Sequence, residues 1–238
     1  MLRHKLKRIL QKSHILPTPK IQKSLSPRWL WLSKLEIRTI LNIGSNEGQF
    51  ALELRRQIPG SKIYAFEPLP GPFQKLNENF VNDPNFKAFP YALGKTEGIT
   101  KMFLNEYSPS SSLLKLGDNH KKHFDFARKE YEIEVDIKKL DSVASNLEIS
   151  NPLLITLDVQ GFEMDVILGG LEIIKLADII ITEVSFTKLY DQQPLFSDIY
   201  NILTSLNFEY AGNFEQLTSP VNGEVLQADA IFVKKRIS

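Results

Sequence analysis

From residue 39 onward, short apolar runs rich in β-branched residues alternate with stretches whose apolar positions recur at helical spacing. That alternation predicts an α/β domain with a largely parallel sheet. Thr39-Ile40-Leu41-Asn42-Ile43 is the first apolar run and stops at Gly44. Gly48 to Gln57 carries Phe50, Leu52 and Leu54 among polar residues and reads as a helix closed by Pro59-Gly60. Lys62 to Phe66 is a second strand ending at Glu67-Pro68, residues 72–80 the next helix, and Asn85 to Ala92 a third strand. Gly94 to Gly98 reads as a turn into a further strand, Ile99 to Leu104.

The middle of the chain is less regular. Ser108-Pro109-Ser110-Ser111-Ser112 is loop chemistry, and the charged residues 115–130 read as a helix or a cover. Glu130 to Lys138 places Tyr131, Ile133, Val135 and Ile137 on one side, the alternation of a half-buried strand. Leu153 to Leu157 is an apolar strand ending at Asp158, with helical spacing after it through Phe162, Val166, Ile167 and Leu171. Ile179 to Thr182 ends at Glu183. The runs around 207–212 and 225–233, separated by Pro220 and Asn222-Gly223, read as a terminal antiparallel pair. No internal repeat or low-complexity tract is present.

Composition narrows this picture. A chain of 238 residues, 42% hydrophobic and 24% charged, holds one substantial core rather than two. No apolar run is long enough to span a bilayer, and the segment before residue 39 lacks the features of a secretory signal, so a cytoplasmic location is expected. Cysteine is absent, which excludes thiolate nucleophiles, disulfides and Cys-rich zinc sites. The net charge of +1 hides an asymmetry: residues 1–35 carry nine Lys or Arg and no acid, leaving 20 basic and 28 acidic residues in the remainder. Residues 1–38 therefore read as a basic extension before a domain at 39–238. Leu2, Leu6, Ile9 and Leu10 fall at the spacing of a short amphipathic helix, suited to a peripheral contact with anionic membrane lipid. The weightier reading packs Trp29 and Trp31 on the body and leaves the charges in water. The acidic body argues against a nucleic-acid partner, and oligomeric state is not legible.

Ligands of open α/β sheets sit beyond the carboxyl ends of the strands. Gly44 to Gly48, Glu67, Asp158 and Glu183 all fall at such ends. Gly44-Ser45-Asn46-Glu47-Gly48 follows a strand and opens a helix, where glycine permits close backbone approach and the helix N-terminus offers N–H groups to a carboxylate. Glu67 stands 19 residues after Gly48, where an acid can accept the hydroxyls of an adenosine ribose. Capping of the following helix is the bland alternative. The spacing G-x-x-x-G, with Asn46 where a dinucleotide site wants glycine, disfavours NAD.

Four stretches resemble the FkbM-type methyltransferases. Ile43-Gly44-Ser45-Asn46-Glu47-Gly48 is similar to that family's D-V-G-A-N-x-G, and Ala65-Phe66-Glu67-Pro68-Leu69-Pro70 to its A-F-E-P-x-P. Leu157 to Glu163 resembles I-D-V-Q-G-F-E, and Asp229 to Val233 the closing D-x-x-F strand. Ser111-Ser112-Leu113-Leu114 is similar to a serine-leucine segment of the family. The resemblance implies a Rossmann-like class I methyltransferase sheet of seven strands ending in an antiparallel pair, in three αβα layers. It also implies S-adenosylmethionine as methyl donor and a hydroxyl on a glycan or small natural-product acceptor. The cofactor contacts it implies are Asn42, Gly44, Ser45, Asn46, Gly48, Glu67, Pro68 and Asp158. Asn42 stands where the family usually has Asp, and lacks the charge that would pair with the cofactor ammonium.

Methyl transfer to oxygen needs alignment and a proton acceptor. Asp158 and Glu183 are the candidates for the acceptor, with Gln160 orienting the substrate hydroxyl. Glu163 and Asp165 begin a helix and read as structural caps. His120 and His123, among Lys and Asp neighbours, read as a solvated face. No spacing marks a metal site. Segment 105–130 is expected to cover the acceptor side. The rival readings are a non-catalytic cofactor-binding or scaffolding subunit of a glycan-assembly complex and an NAD-type oxidoreductase. Against the latter, a methyltransferase requires strand 225–233 antiparallel within the sheet.

Overall fold

The computed structural model describes residues 27–105, 111–117 and 130–235. The amphipathic pattern at 2–15, both of His120 and His123, and most of the charged 115–130 stretch lie outside the described residues. After α1 (Pro27–Ser33) the chain alternates β1 (Thr39–Ile43), α2 (Gln49–Gln57), β2 (Lys62–Phe66), α3 (Pro70–Asn79) and β3 (Phe86–Phe89). Then come β4 (Ala92–Leu93), β5 (Gly98–Asn105), β6 (Glu130–Lys138), α4 (Leu140–Ala144), β7 (Leu153–Leu157), α5 (Glu163–Gly169) and α6 (Leu171–Leu176). The chain closes with β8 (Ile179–Ser185), α7 (Phe196–Ser205), β9 (Phe208–Thr218) and β10 (Val225–Lys234).

The main sheet has seven strands in the order β3-β2-β1-β7-β8-β10-β9. The first five are parallel, and β10 lies antiparallel between β8 and β9. The strand order reverses between β1 and β7, so the carboxyl ends of these two and of β2 open a crevice. An antiparallel β10 inside the sheet is the arrangement expected of the methyltransferase reading and not of a standard dinucleotide fold.

The period-2 alternation of side chains sorts this sheet between two helical layers. Leu41, Ile43, Ile155 and Ile180 face α5, α6 and α7 through Val166, Ile174 and Leu203. Ile40, Ile63, Leu154 and Ile181 face α1 and α2 through Trp29, Leu32 and Leu54. Trp29 is buried, edge-on to Phe214 at 4.6 Å between centroids, and Trp31 packs on the same cluster. Residues 27–38 of the basic extension are thus part of the packed body.

Two expected elements divide. The run Asn85 to Ala92 breaks at Pro90, which has no N–H for the ladder. Phe86–Phe89 stays in the main sheet, while Ala92–Leu93 joins a separate three-stranded sheet, β4-β6-β5. The strands expected at 99–104 and 130–138 pair with each other in that small sheet. The helical spacing after Asp158 forms two helices, because the chain turns at Gly169-Gly170. A Cβ on Gly169 would lie 1.9 Å from the Gly94 carbonyl oxygen, so α5 and the β4 turn are packed backbone to backbone. Helices α1, α4 and α7 were not among the sequence expectations.

Candidate active site

The turn after β1 is held from three sides. Gly44 and Ser45 donate their N–H groups to the Phe66 carbonyl at 3.0 Å each, and Asp158 donates to the Ile43 carbonyl at 3.0 Å. Gly44 has φ +80°, and a Cβ there would stand 1.9 Å from the Asp158 carbonyl oxygen. Only glycine allows the ends of β1 and β7 to approach so closely. Asn46 takes the left-handed conformation at φ 48° and donates its N–H to Glu67 Oε2 at 2.8 Å. Its own Oδ1 accepts from Glu47 N–H at 2.7 Å, and Gly48 N–H donates to the Ser45 carbonyl at 2.9 Å. Every N–H from Gly44 to Gly48 therefore has a partner inside the protein. The turn itself thus offers no free N–H among these five, and any donor for a ligand carboxylate comes from the first residues of α2.

Glu67 is 5% exposed and uses both oxygens: Oε2 on Asn46, Oε1 accepting Leu69 N–H at 2.9 Å. The capping alternative is thus real, yet the same carboxyl lines the cavity. Burial pushes Glu67 up to about 7, offset by those two N–H groups and reinforced by the charge of Asp158.

A cavity of about 690 Å³, counted out to its open mouth, lies over this crevice. Of the residues singled out from sequence, Gly44, Asn46, Glu67, Pro68, Asp158 and Gln160 form its wall. Asn42, Ser45, Gly48 and Glu183 do not. Asn42 is buried on the α2 face of the sheet and donates from Nδ2 to Thr156 Oγ1, its direct cross-strand neighbour, at 2.8 Å. Its Oδ1 has no hydrogen-bond partner among the described residues. The Ser45 hydroxyl donates back to the Asn42 carbonyl. Gly48 sits against Leu76 of α3. These three shape the turn from behind. The opposite wall is apolar, with Phe66, Leu69, Tyr91, Leu93 and Phe162.

At the ends of β7 and β8, Gln160 joins two acids. Its Nε2 donates to Asp158 Oδ1 at 2.6 Å and to the Glu183 carboxylate at 3.1 and 3.2 Å. Asp158 is open to the cavity on one side and walled by protein on the others, and that desolvation raises its pKa. Glu183 is raised well above the usual range, first by burial and then by the charges of Asp158, Glu163 and Asp229. Glu163 is also raised, to about 7, chiefly by burial. Its Oε1 accepts the N–H groups of Val159 and Gly161 at 3.0 and 3.2 Å, bridging the tight loop before α5. Asp165 pairs with Lys95 at 2.8 Å. Glu163 thus holds the loop and Asp165 an ion pair, and neither makes the side-chain cap expected of it.

Segment 111–117, the described part of the expected cover, crosses this site. Ser111 and Leu113 line the cavity. The Ser112 hydroxyl donates to the Gln160 carbonyl at 2.7 Å, while its backbone bridges to Phe103 of β5. Sequence reasoning missed Tyr190, whose phenol donates to Gln160 Oε1 at 2.8 Å. Thirty residues separate the two, and no local pattern marks a lone Tyr in a loop as part of a site. Asp229 was read only as part of a motif; its place opposite Glu183 follows from the antiparallel register.

Among the described residues, no group of three or more His, Asp or Glu is placed to hold a metal, and no helix is long and apolar enough to cross a membrane. None of the described side chains on the cavity wall is Lys or Arg. Among the described residues the wall is rich in acids, which suits a ligand bearing positive charge and hydroxyls better than a pyrophosphate.

The raised carboxyls make stability depend on pH. Their folded-state pKa exceeds the ordinary value, so the folded protein holds more protons between about pH 4.5 and 7 than the unfolded chain. Their contribution is complete at low pH and is lost as pH rises through about 7. The melting temperature of the ligand-free protein is therefore expected to fall by several degrees between pH 5.5 and 8. In a Glu67→Gln, Glu163→Gln double variant that slope should flatten. A slope unchanged by the double variant would overturn this assignment.

The family model described as "Methyltransferase FkbM domain" matches residues 42–210. Over 194 residues the chain is 30% identical to the 2-O-methyltransferase NoeI of Sinorhizobium fredii, covering 79% of this chain and 77% of that protein. It is also 30% identical over 142 residues to Methyltransferase 1 of Beauveria bassiana, covering 55% of this chain and 57% of that one. Among solved structures it is similar to a TehB-like SAM-dependent methyltransferase from Corynebacterium glutamicum, at TM-score 0.43 and 16% identity over 90% of each chain.

Proposed function

The chain belongs to the FkbM methyltransferase family and is an S-adenosylmethionine-dependent methyltransferase; from that premise we propose that it methylates a hydroxyl of a glycan or natural-product acceptor. Similarity to a protein named a 2-O-methyltransferase supports oxygen as the receiving atom. The observation that carries the reading is the Asp158–Gln160–Glu183 unit, with Asp158 reaching the cavity at the strand-order reversal.

The wall fits the cofactor. When bound, S-adenosylmethionine supplies a methyl group made electrophilic by an adjoining sulfonium. Glu67 holds the ribose hydroxyls with lone pairs left over from its two backbone contacts. Phe66, Leu69 and Tyr91 would supply an apolar wall for its adenine. Gly44, Asn46 and Pro68 bound the chain between ribose and methionine, while Asn42, Ser45 and Gly48 keep the turn in shape from behind. The carboxyls gathered here favour a cation and become more fully ionised beside one. Asp158 accepts the proton of the attacking hydroxyl. A carboxyl whose pKa is raised by desolvation is a better proton acceptor than an ordinary one. Gln160 and Glu183 hold it in place. In this reading residues 39–238 are the catalytic unit with 27–38 packed on it, and the basic charge of the preceding sequence suits a peripheral lipid contact.

The test is methyl transfer from labelled S-adenosylmethionine to a panel of saccharides, polyketide-type alcohols, amines and RNA. Label on a saccharide or alcohol oxygen is the expected result. Label on amines or RNA alone would overturn the proposal. Calorimetric titration of Glu67→Ala with S-adenosylmethionine should show affinity about 10- to 100-fold weaker, for loss of one or two hydrogen bonds to a charged group.

A further inference from the structure

Tyr190 is 1% exposed, yet it sits in the loop after β8 and not in a regular element. Several independent contacts hold it. Gln193, itself buried, accepts the N–H groups of Leu189 and Tyr190 on Oε1 at 2.8 and 3.2 Å and donates from Nε2 to Ser185 Oγ at 2.7 Å. Leu116 bridges to Tyr190 in antiparallel fashion, with Gly117 N–H on the Leu189 carbonyl and Asp191 N–H on the Lys115 carbonyl, both at 2.9 Å. Leu116, Leu189, Tyr190 and Leu226 bury together as a cluster apart from the main core. This scaffolding presents the phenol to the site, where it donates to Gln160 Oε1.

Donor and acceptor logic shows what that contact does. An amide has a donor end and an acceptor end, and either can face a given neighbour after rotation. The donor end of Gln160 faces Asp158 and Glu183, both acceptors when ionised. The reversed amide would set its carbonyl against the two acids and becomes accessible when one of them carries a proton. The two acids set which way the amide faces, and the phenol O–H on Oε1 holds it in reach of both.

We propose that Tyr190 is a positioning residue for methyl transfer, which locks the Gln160 amide with Nε2 on Asp158 Oδ1 and Glu183 and so leaves Asp158 Oδ2 turned to the acceptor hydroxyl. The proposal rests on the reading of Asp158 as proton acceptor. The charged groups around Asp158 are Glu67 from the end of β2, Glu163 from α5 and Glu183 from β8, with Asp229 of β10 beyond Glu183. Among the described residues all are acids, and the Gln160 donor favours the ionised form of Asp158.

The experiment uses the ligand-free full chain and needs no acceptor. Nuclear magnetic resonance follows the Gln160 side-chain NH₂ pair, assigned by its loss in Gln160→Met. The same method follows the Asp158 carboxyl carbon through a pH titration, assigned with Asp158→Asn. In Tyr190→Phe the NH₂ pair should shift or broaden, and the Asp158 midpoint should rise, because the donor that favours ionisation is no longer held. Gln160→Met alone should raise the midpoint, and adding Tyr190→Phe to it should raise it no further, since Tyr190 acts through Gln160. An unmoved midpoint in Tyr190→Phe, or additive shifts in the double variant, would overturn the proposal. A Tyr190→Phe chain that fails to fold shifts the decision to a Gln193→Glu variant, which loosens the loop without removing the phenol and should move the same two signals. Failure of the wider reading looks different: Asp158→Asn would keep transferring methyl groups while the titrations behaved as described, and the positioning role would then fall for lack of a base to position.

Discussion

Asp158→Asn is expected to lower kcat by about 10²- to 10⁴-fold, the range for losing a positioned general base. The substitution keeps the size and shape of the side chain and removes its ability to take a proton. Neutral Asn can still face Gln160, so the loop before α5, held by Glu163 on Val159 and Gly161, has no reason to move. Affinity for S-adenosylmethionine should change less than about tenfold, since the ribose contact at Glu67 and the apolar wall remain. The measurement is single-turnover methyl transfer beside calorimetric binding in the same preparation. Loss of both in equal proportion would make Asp158 a cofactor ligand only. Retention of kcat would move the search for a base to Glu183, which stands behind Gln160 and off the cavity wall. A Glu183→Gln variant is the natural companion, and its smaller effect on kcat would support a supporting role.

Gly44→Ala should have the largest effect on stability of any single methyl group added to this protein at the site. The residue has φ +80°, where an L side chain is strained by about 1–2 kcal/mol. The added Cβ would also stand 1.9 Å from the Asp158 carbonyl oxygen and 2.7 Å from its carbon, both backbone atoms. Backbone at the carboxyl end of a central strand cannot swing aside as a side-chain tip can, so β1 and β7 must separate. A destabilisation of about 4 kcal/mol or more is expected, in the class of severe strain mutations. At roughly 2–4 °C per kcal/mol for a chain of this size, melting should drop by about 8 °C or more. Gly60→Ala is the control: a Cβ there meets nothing within 4 Å, and its melting should match the parent closely. If both variants melt together, the close approach of β1 and β7 does not constrain the fold. A Gly44→Ala chain that folds should still bind cofactor poorly, because Asp158 and the 44–48 turn share the displaced backbone.

Strands β1, β2, β7 and β8 were legible because each is a run of buried apolar residues punctuated by Gly44, Glu67, Asp158 or Glu183, and burial on both faces leaves little other use for such runs. The break at Pro90 was visible as a residue type, but its consequence was not: which sheet Ala92–Leu93 joins depends on β6, about forty residues later. Asn42 shows the limit from the other side. Its place in a motif suggested a cofactor contact, whereas strand alternation turns its side chain away from the cavity toward Thr156. Parity along β1 could have revealed this, since Ile40 and Asn42 share a face and Leu41 and Ile43 the other.

Local chemistry is what the chain alone determines here: where strands end, which turns need glycine, which acids stand at strand ends, and the family those motifs denote. These are properties of a few neighbouring residues, and neighbours in sequence are neighbours in space at that scale. What the tertiary structure decided is which of those groups share a wall and in what electrostatic company. Glu183 meets Asp229 only because β10 runs antiparallel beside β8. Tyr190 reaches Gln160 only because the loop after β8 folds back under segment 111–117. The raised pKa of Glu67 comes from burial among residues distant in the chain as well as from Asp158. Burial and charge proximity are sums over all packed neighbours, and that sum is not written in any one segment of the sequence.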